Sequence, residues 1–242
     1  MDSIYDKIHY LVNFLNNCTK AYDEGNPIIT DEEWDKKYFE LKALEEETNL
    51  VLGNSPTQVI TYELVNNLQK STHNHKMLSL EKTKSPKEVL DFVGNKPFLA
   101  MCKMDGLTCS LTYRMGELVA AETRGNGLVG EDILHNARVI PSIPNKIPYT
   151  GELVIDGEII CTTHDFEEFS SQYKNPRNFA AGSIRLLDAE VCAKRNLTFV
   201  VWDVISQIYF EDGIEFRVDQ KLEMLRPFGF TIVPYETLTG AV

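Results

Sequence analysis

Lys103-Met104-Asp105-Gly106 stands between two apolar runs, Phe98–Cys102 and Leu107–Tyr113. A lysine between two strands is held on rigid backbone and points into whatever cleft the sheet forms. It becomes a nucleophile when burial or neighbouring cations favour loss of its proton near neutral pH. Asp105, two residues on, is within reach to orient an ammonium or to help bind a metal ion. Downstream, Thr123-Arg124-Gly125-Asn126-Gly127 through Gly130-Glu131-Asp132 is a glycine-rich turn carrying an arginine, suited to close approach of backbone to a nucleotide. Asp156-Gly157-Glu158 puts carboxylates inside a strand, where an unpaired buried acid is costly. Asn175-Pro176-Arg177-Asn178-Phe179-Ala180-Ala181-Gly182-Ser183-Ile184-Arg185 sets two arginines around small residues, and arginine is the natural fork for phosphate oxygens. Each stretch alone reads equally well as a salt bridge, a turn or surface decoration. The series carries the information.

The elements that must position these groups can be traced from pattern. Ile4, Ile8, Leu11, Val12 and Leu15 share one helical face, with Ser3 as N-cap. Thr30-Asp31-Glu32-Glu33 is a capping box that opens a second helix through Trp34, Tyr38, Leu41 and Leu44, ending near Thr48. Asn54-Ser55-Pro56-Thr57 breaks the chain. From about residue 96 the texture turns to strands: Phe98–Cys102, Leu107–Tyr113, Leu118–Thr123, Leu153–Cys161 and Leu197–Ile205, with a hairpin turn at Arg114-Met115-Gly116-Glu117. Ser85-Pro86-Lys87-Glu88 starts a capped helix, and Arg217–Phe228 is helical up to Gly229. A strand at 230–233 follows, and Leu238-Thr239-Gly240 reads as a connection. The expected fold class is α+β: a small helical N-terminal domain, 1–68, then a mixed, largely antiparallel sheet domain, 69–242.

Composition narrows the function. The 242 residues carry 24 Lys plus Arg against 36 Asp plus Glu, a net charge of −12, and the first 50 residues alone hold 12 acids against 5 bases. That balance excludes a protein gripping nucleic acid by bulk charge. No apolar run approaches the roughly 20 residues that span a bilayer, and no secretory signal is visible at the N-terminus. The five cysteines are odd in number and form no CxxC pair, which argues against a disulfide scaffold or a zinc site and for a reducing, cytoplasmic setting, bacterial or viral-host.

In this order, His75-Lys76-Met77-Leu78-Ser79-Leu80, Lys103-Met104-Asp105-Gly106-Leu107, Thr123-Arg124-Gly125, Asp156-Gly157-Glu158 and Asn175–Ser183 closely resemble the NAD-dependent DNA ligases. Asp31-Glu32-Glu33-Trp34-Asp35 and Asn54–Gln58 look like that family's nicotinamide-mononucleotide (NMN)-binding helices and the linker after them. The resemblance implies a nucleotidyltransferase (ATP-grasp-like ligase) domain in which Lys103 attacks the α-phosphate of NAD. Lysyl-AMP forms, NMN leaves, and AMP passes to a DNA 5′-phosphate before a nick is sealed in replication or repair. It further implies Arg124, Arg177 and Arg185 on the phosphates and Glu158 on the AMP ribose. Ser79, Leu80 and Gly106 would line the nucleotide pocket, with Trp202 stacked on adenine. Tyr22, Asp31, Trp34 and Asp35 would take the cationic nicotinamide, and Mg2+ would assist.

Four departures stand out. The family has tyrosine where Trp34 stands, a polar ring residue beside the aromatic of Ala21-Tyr22, a glutamate at Met101, and Arg-Gly-Asp where this chain has Arg-Gly-Asn. After the strand at 197–205 the resemblance implies further motifs, then an OB-fold and DNA-encircling elements, none of which is present; the adenylation domain is expected to be cut before its core is complete. Three readings follow: a subunit of a two-chain ligase whose partner supplies those parts and the nicked DNA, a piece of a longer ligase, or a non-catalytic NAD- or AMP-binding relative.

Overall fold

The computed structural model describes residues 4–23, 27–48, 50–52, 55–57, 68–77 and 82–239. Ser3, Asn54, Ser79 and Leu80, singled out above, lie outside the described residues. Helices α1 (Ile4–Asp23) and α2 (Asp31–Thr48) pack as a hairpin around Ile8, Leu11, Val12, Leu15 and Leu41. The capping box forms: Glu33 N–H donates to Thr30 Oγ1 (3.2 Å), and Thr30 N–H donates to Glu33 Oε2 (2.9 Å). Ser55 and Thr57 hydroxyls donate to the buried Glu45 carboxylate, which ties the chain break back onto α2.

The second part begins with β1 (Lys70–Thr72), α3 (Pro86–Val93) and β2 (Phe98–Met101). Ser85 caps α3 with Pro86 at its first turn, as the sequence predicts. Then come β3 (Leu107–Arg114), β4 (Glu117–Thr123), β5 (Val129–Glu131), α4 (Leu134–Ala137), β6 (Leu153–Ile160), α5 (Thr163–Phe166), α6 (Pro176–Ile184), α7 (Ala189–Ala193), β7 (Thr198–Val204), α8 (Val218–Leu225), β8 (Thr231–Ile232) and β9 (Tyr235–Leu238). The main sheet has the order β4-β3-β6-β7-β8, antiparallel throughout except for the β7–β8 pair. Two small antiparallel pairs, β1–β5 and β2–β9, flank it. The class is therefore mixed helix and largely antiparallel sheet, as expected.

The alternation of strand residues gives the sheet two unlike faces. Cys109, Leu111 and Tyr113 of β3, Ile155 and Ile159 of β6 and Phe199 and Val201 of β7 are buried in one apolar cluster with Phe179 and Ile184 of α6 and Leu222 and Leu225 of α8. The opposite face carries Thr108, Ser110 and Thr112, with Glu158 directly across from Thr108 and Asp156 across from Ser110. That polar face is where chemistry has room. One strand goes beyond the sequence reading, which named no strand after 230–233: β9 pairs Leu238 with Phe98 and Tyr235 with Met101. Of the expected connection Leu238-Thr239-Gly240, the first residue thus ends a strand, while Gly240 lies outside the described residues. The residues of β9 are mostly exposed, so hydrogen bonding to β2 fixes it, not an apolar pattern.

Candidate active site

Lys103 lies in the segment 102–106 between β2 and β3, and both ends of that segment are fastened. Cys102 N–H donates to Pro234 O (3.0 Å) and Gly106 N–H donates to Glu158 Oε1 (3.2 Å). Gly106 is demanded by space: a Cβ there would stand 2.1 Å from the backbone oxygen of Ile159 on β6. The turn is thus pressed onto β6, while Lys103 stays exposed. Met101, two residues before Lys103 and the last residue of β2, pairs with Tyr235 and packs on the main core.

Glu158 anchors the opposite side. Its Oε2 accepts from Thr108 Oγ1 (2.9 Å). Burial pushes its carboxyl pKa up; the Thr108 hydrogen bond and the positive charges of Arg177, Lys103 and Arg124 pull the other way. Three cations from three separate segments therefore act on one buried carboxylate. Arg124 is set by the glycine turn: its N–H donates to Thr108 O (2.9 Å) and its carbonyl meets His73 Nε2 (2.9 Å). At Gly125, φ is +54° and a Cβ would fall 2.0 Å from Val129 O, so the turn needs glycine on both counts. Asn126 Oδ1 accepts from the N–H groups of Leu128 and Val129, an acceptor role open equally to aspartate, which accounts for the tolerance of asparagine here.

Helix α6 carries the two arginines to different places. Asn175 caps it and Pro176 opens it, so Arg177 sits in its first turn. The Arg177 guanidinium lies 4.7 Å from the Tyr22 ring centroid and 3.4 Å from Asp105 Oδ1. It thereby touches the helical hairpin, the lysine segment and the field of Glu158 at once. Arg185, at the far end, donates through Nε to Glu131 Oε2 (2.7 Å); their side chains are 8% and 0% exposed, and Thr123 Oγ1 joins them at 3.2 Å. That pair braces α6 against β5. Trp202, half-buried, is the extra residue where the register of β6 and β7 shifts between Asp156 and Gly157; such a bulge re-aims its side chain.

The N-terminal candidates divide. Tyr22 and Asp31 line a cleft of about 480 Å3 with Pro27, Ile28, Ile29, Thr30, Glu33, Lys174 and Asn175. Trp34 and Asp35 lie off that lining: Trp34 stacks on Tyr38 (5.2 Å between centroids) and Asp35 Oδ1 pairs with Lys82 Nζ (2.9 Å). Thr108, His73, His75 and Lys174 were not singled out individually in the sequence. The buried Asp156 signalled that a partner must exist, and His75 Nε2 supplies it at 2.9 Å. Burial raises the pKa of Asp203 beside it, with the Asp156 charge adding to the rise.

The family model of the NAD-dependent DNA ligase adenylation domain matches residues 65–241, most of the chain. The chain belongs to the NAD-dependent DNA ligase family. The model of the DNA ligase-like N-terminal NAD+-binding domain matches residues 1–61, the stretch that contains the α1–α2 hairpin. A DNA ligase of Lachnoclostridium phytofermentans is 42% identical over 97% of this chain, and one of Mycoplasma genitalium is 37% identical over 93%. The match spans about 37% and 36% of those two ligases' own lengths. A Naegleria gruberi RNA ligase structure aligns over 81% of this chain and 56% of that one, at 12% identity and a TM-score of 0.37; the family assignment does not draw on it. In this family the AMP donor is NAD. Among the described residues of this family member, no helix is long and apolar enough to cross a membrane.

Proposed function

We propose that this chain carries out the adenylylation step of NAD-dependent DNA ligation, with Lys103 as nucleophile. The observation that carries the reading is the buried Glu158 carboxylate, which accepts from Gly106 N–H in the Lys103 segment and from Thr108 Oγ1, with the charges of Arg177, Lys103 and Arg124 acting on it. An adenosine ribose offers hydroxyls to a carboxylate, and the adjacent phosphates offer negative charge to the cations. Phosphoryl transfer rests on in-line positioning and neutralised phosphorus oxygens. The Lys103 amine, once deprotonated, forms an N–P bond to the α-phosphorus; the bond to the bridging oxygen breaks, and NMN leaves with its phosphate. Asp105, paired with Arg177, holds that guanidinium beside the lysine segment. Gly106 permits the approach to β6. Trp202 takes the adenine face; Ser79 and Leu80, outside the described residues, are assigned to the nucleotide by the family resemblance alone. Tyr22 of α1 and Asp31 of α2 at the cleft, with Trp34 and Asp35 further along α2, take the nicotinamide ring, whose positive charge suits acids and aromatics.

Mg2+ belongs to the same proposal. Among the described residues no group of three or more His, Cys, Asp or Glu side chains is placed to cage a metal. Magnesium would arrive on the NAD phosphates, held by one or two carboxylates and water, and would supply charge neutralisation at the phosphorus oxygens. Transfer of AMP to nicked DNA and sealing in replication or repair would draw on the ligase regions outside the matched third, in the same chain or in a second subunit. The five free cysteines fit a cytoplasmic setting.

The test is NMN release from NAD with Mg2+ present, by the chain alone and with the remaining ligase regions added. Release that disappears in Lys103→Ala supports the step. Equal release by wild type and Lys103→Ala sinks it, as does failure of both preparations to release NMN; that last outcome favours the non-catalytic reading, which the intact Lys103, Asp105, Glu158, Arg177 and Arg185 set argues against.

A further inference from the structure

One ammonium in the molecule is held by an arrangement more specific than a surface ion pair. Lys82 Nζ lies 2.9 Å from Asp35 Oδ1, 4.7 Å from the Trp34 ring centroid and 5.7 Å from that of Tyr38. Trp34 and Tyr38 are one helical turn apart on α2 and stack at 5.2 Å with an interplanar angle of 18°. Two rings and a carboxylate therefore form a seat built for a cation, and a lysine 47 residues away in sequence fills it. A second lysine from the same segment, Lys84, approaches the neighbouring Phe39 ring at 5.8 Å.

We propose that Lys82 is a built-in stand-in for the nicotinamide cation: it fills the Trp34–Asp35–Tyr38 seat in the nucleotide-free chain, and the nicotinamide ring of NAD displaces it. The inference rests on the reading above that Trp34 and Asp35 receive nicotinamide. The Lys82 side chain is 45% exposed, so its displaced ammonium passes into water and no charge is left stranded in the interior. The contact is weak enough to yield, since exposed cation–π contacts and exposed ion pairs are each small.

A prefilled seat lowers the apparent affinity of every ligand that must displace the lysine by one common factor, and the Asp35 carboxylate and the two rings set which ligand is preferred. Oxidised nicotinamide carries the charge that replaces the ammonium; the reduced ring is neutral and offers nothing in exchange, so the seat favours NAD+ over NADH. After AMP transfer, the returning Lys82 competes with NMN and favours its departure.

The experiment titrates NMN and its reduced form into the full chain by calorimetry, comparing wild type, Lys82→Met, Lys82→Arg and the Lys82→Met/Asp35→Asn double variant. Lys82→Met is expected to bind NMN roughly fivefold to tenfold more tightly, the range that an exposed cation–π contact and ion pair together support. Lys82→Arg, which keeps the cation, is expected to stay near wild type, and in Lys82→Met reduced NMN is expected to tighten by the same factor as NMN, because both must displace the same ammonium. Unchanged or weaker NMN binding in Lys82→Met, or equal tightening in Lys82→Arg, overturns the stand-in role. The double variant tests the seat separately: weaker NMN binding than Lys82→Met alone supports it, and no difference between the two overturns the nicotinamide reading itself.

Discussion

Arg185→Ala separates a bracing role from a phosphate-binding one. In the structure the Arg185 Nε donates to Glu131 at 2.7 Å, with the carboxylate wholly buried. Deleting one partner of a buried pair leaves the other charge uncompensated and costs about 3–5 kcal/mol. Glu131 keeps the Thr123 hydroxyl at 3.2 Å and its own N–H bond to Thr123 Oγ1, so the lower end, about 3 kcal/mol, is the expected value. For a chain of this size that is a fall of roughly 6–12 °C in Tm. The assay is thermal unfolding followed by circular dichroism, with NMN release measured well below the transition. Arg185→Met/Glu131→Gln removes both charges together and is expected to recover most of the lost stability. A wild-type Tm in Arg185→Ala, with NMN release lost, would refute the bracing argument and put the guanidinium on a phosphate instead.

Further outcomes follow from the same geometry. Gly106→Ala drives a Cβ to 2.1 Å from Ile159 O; the forced shift breaks the bond to Glu158 and displaces Lys103, and a misplacement of about 1 Å is expected to cost roughly 100-fold in NMN release. His75→Ala leaves the buried Asp156 carboxylate without its 2.9 Å partner and is expected to destabilise by about 1–3 kcal/mol or more in chemical unfolding; Asp156→Asn in the same background should return much of that. Glu122 gives a pH signature. Burial raises its carboxyl pKa above the usual 4.5, against the Ser71 hydroxyl bond. Its stabilising contribution is full below the ordinary value and is lost as pH rises through the raised one. Glu122→Gln should therefore unfold at higher temperature than wild type at neutral pH, with the advantage fading below about pH 4.

Local chemistry was the legible part of this sequence. The Thr30–Glu33 box and the Ser85-Pro86 start each place donor and acceptor within three residues, and both formed as written. The strands with strict alternation, Leu107–Tyr113 above all, appeared within a residue or so of their expected ends. What stayed hidden depends on pairing across distance. Lys70–Thr72 is three residues long and becomes a strand only by meeting Val129–Glu131; Tyr235–Leu238 does so only by meeting β2. In the site, no single residue type pointed to Lys103, Glu158 and Arg177; their order along the chain and the family resemblance did. The partners did not announce themselves: His75 reaches Asp156 across 81 residues, and Lys82 takes the very acid and ring that nicotinamide was expected to meet.

Peptide mapping after incubation with NAD, Mg2+ and the remaining ligase regions tests the central claim most directly. The expected result is a single adenylyl group on Lys103, joined through an acid-labile phosphoramidate bond, together with free NMN. An adenylyl group on any other lysine, or a fully unmodified Lys103 in a preparation that seals nicks, would contradict it.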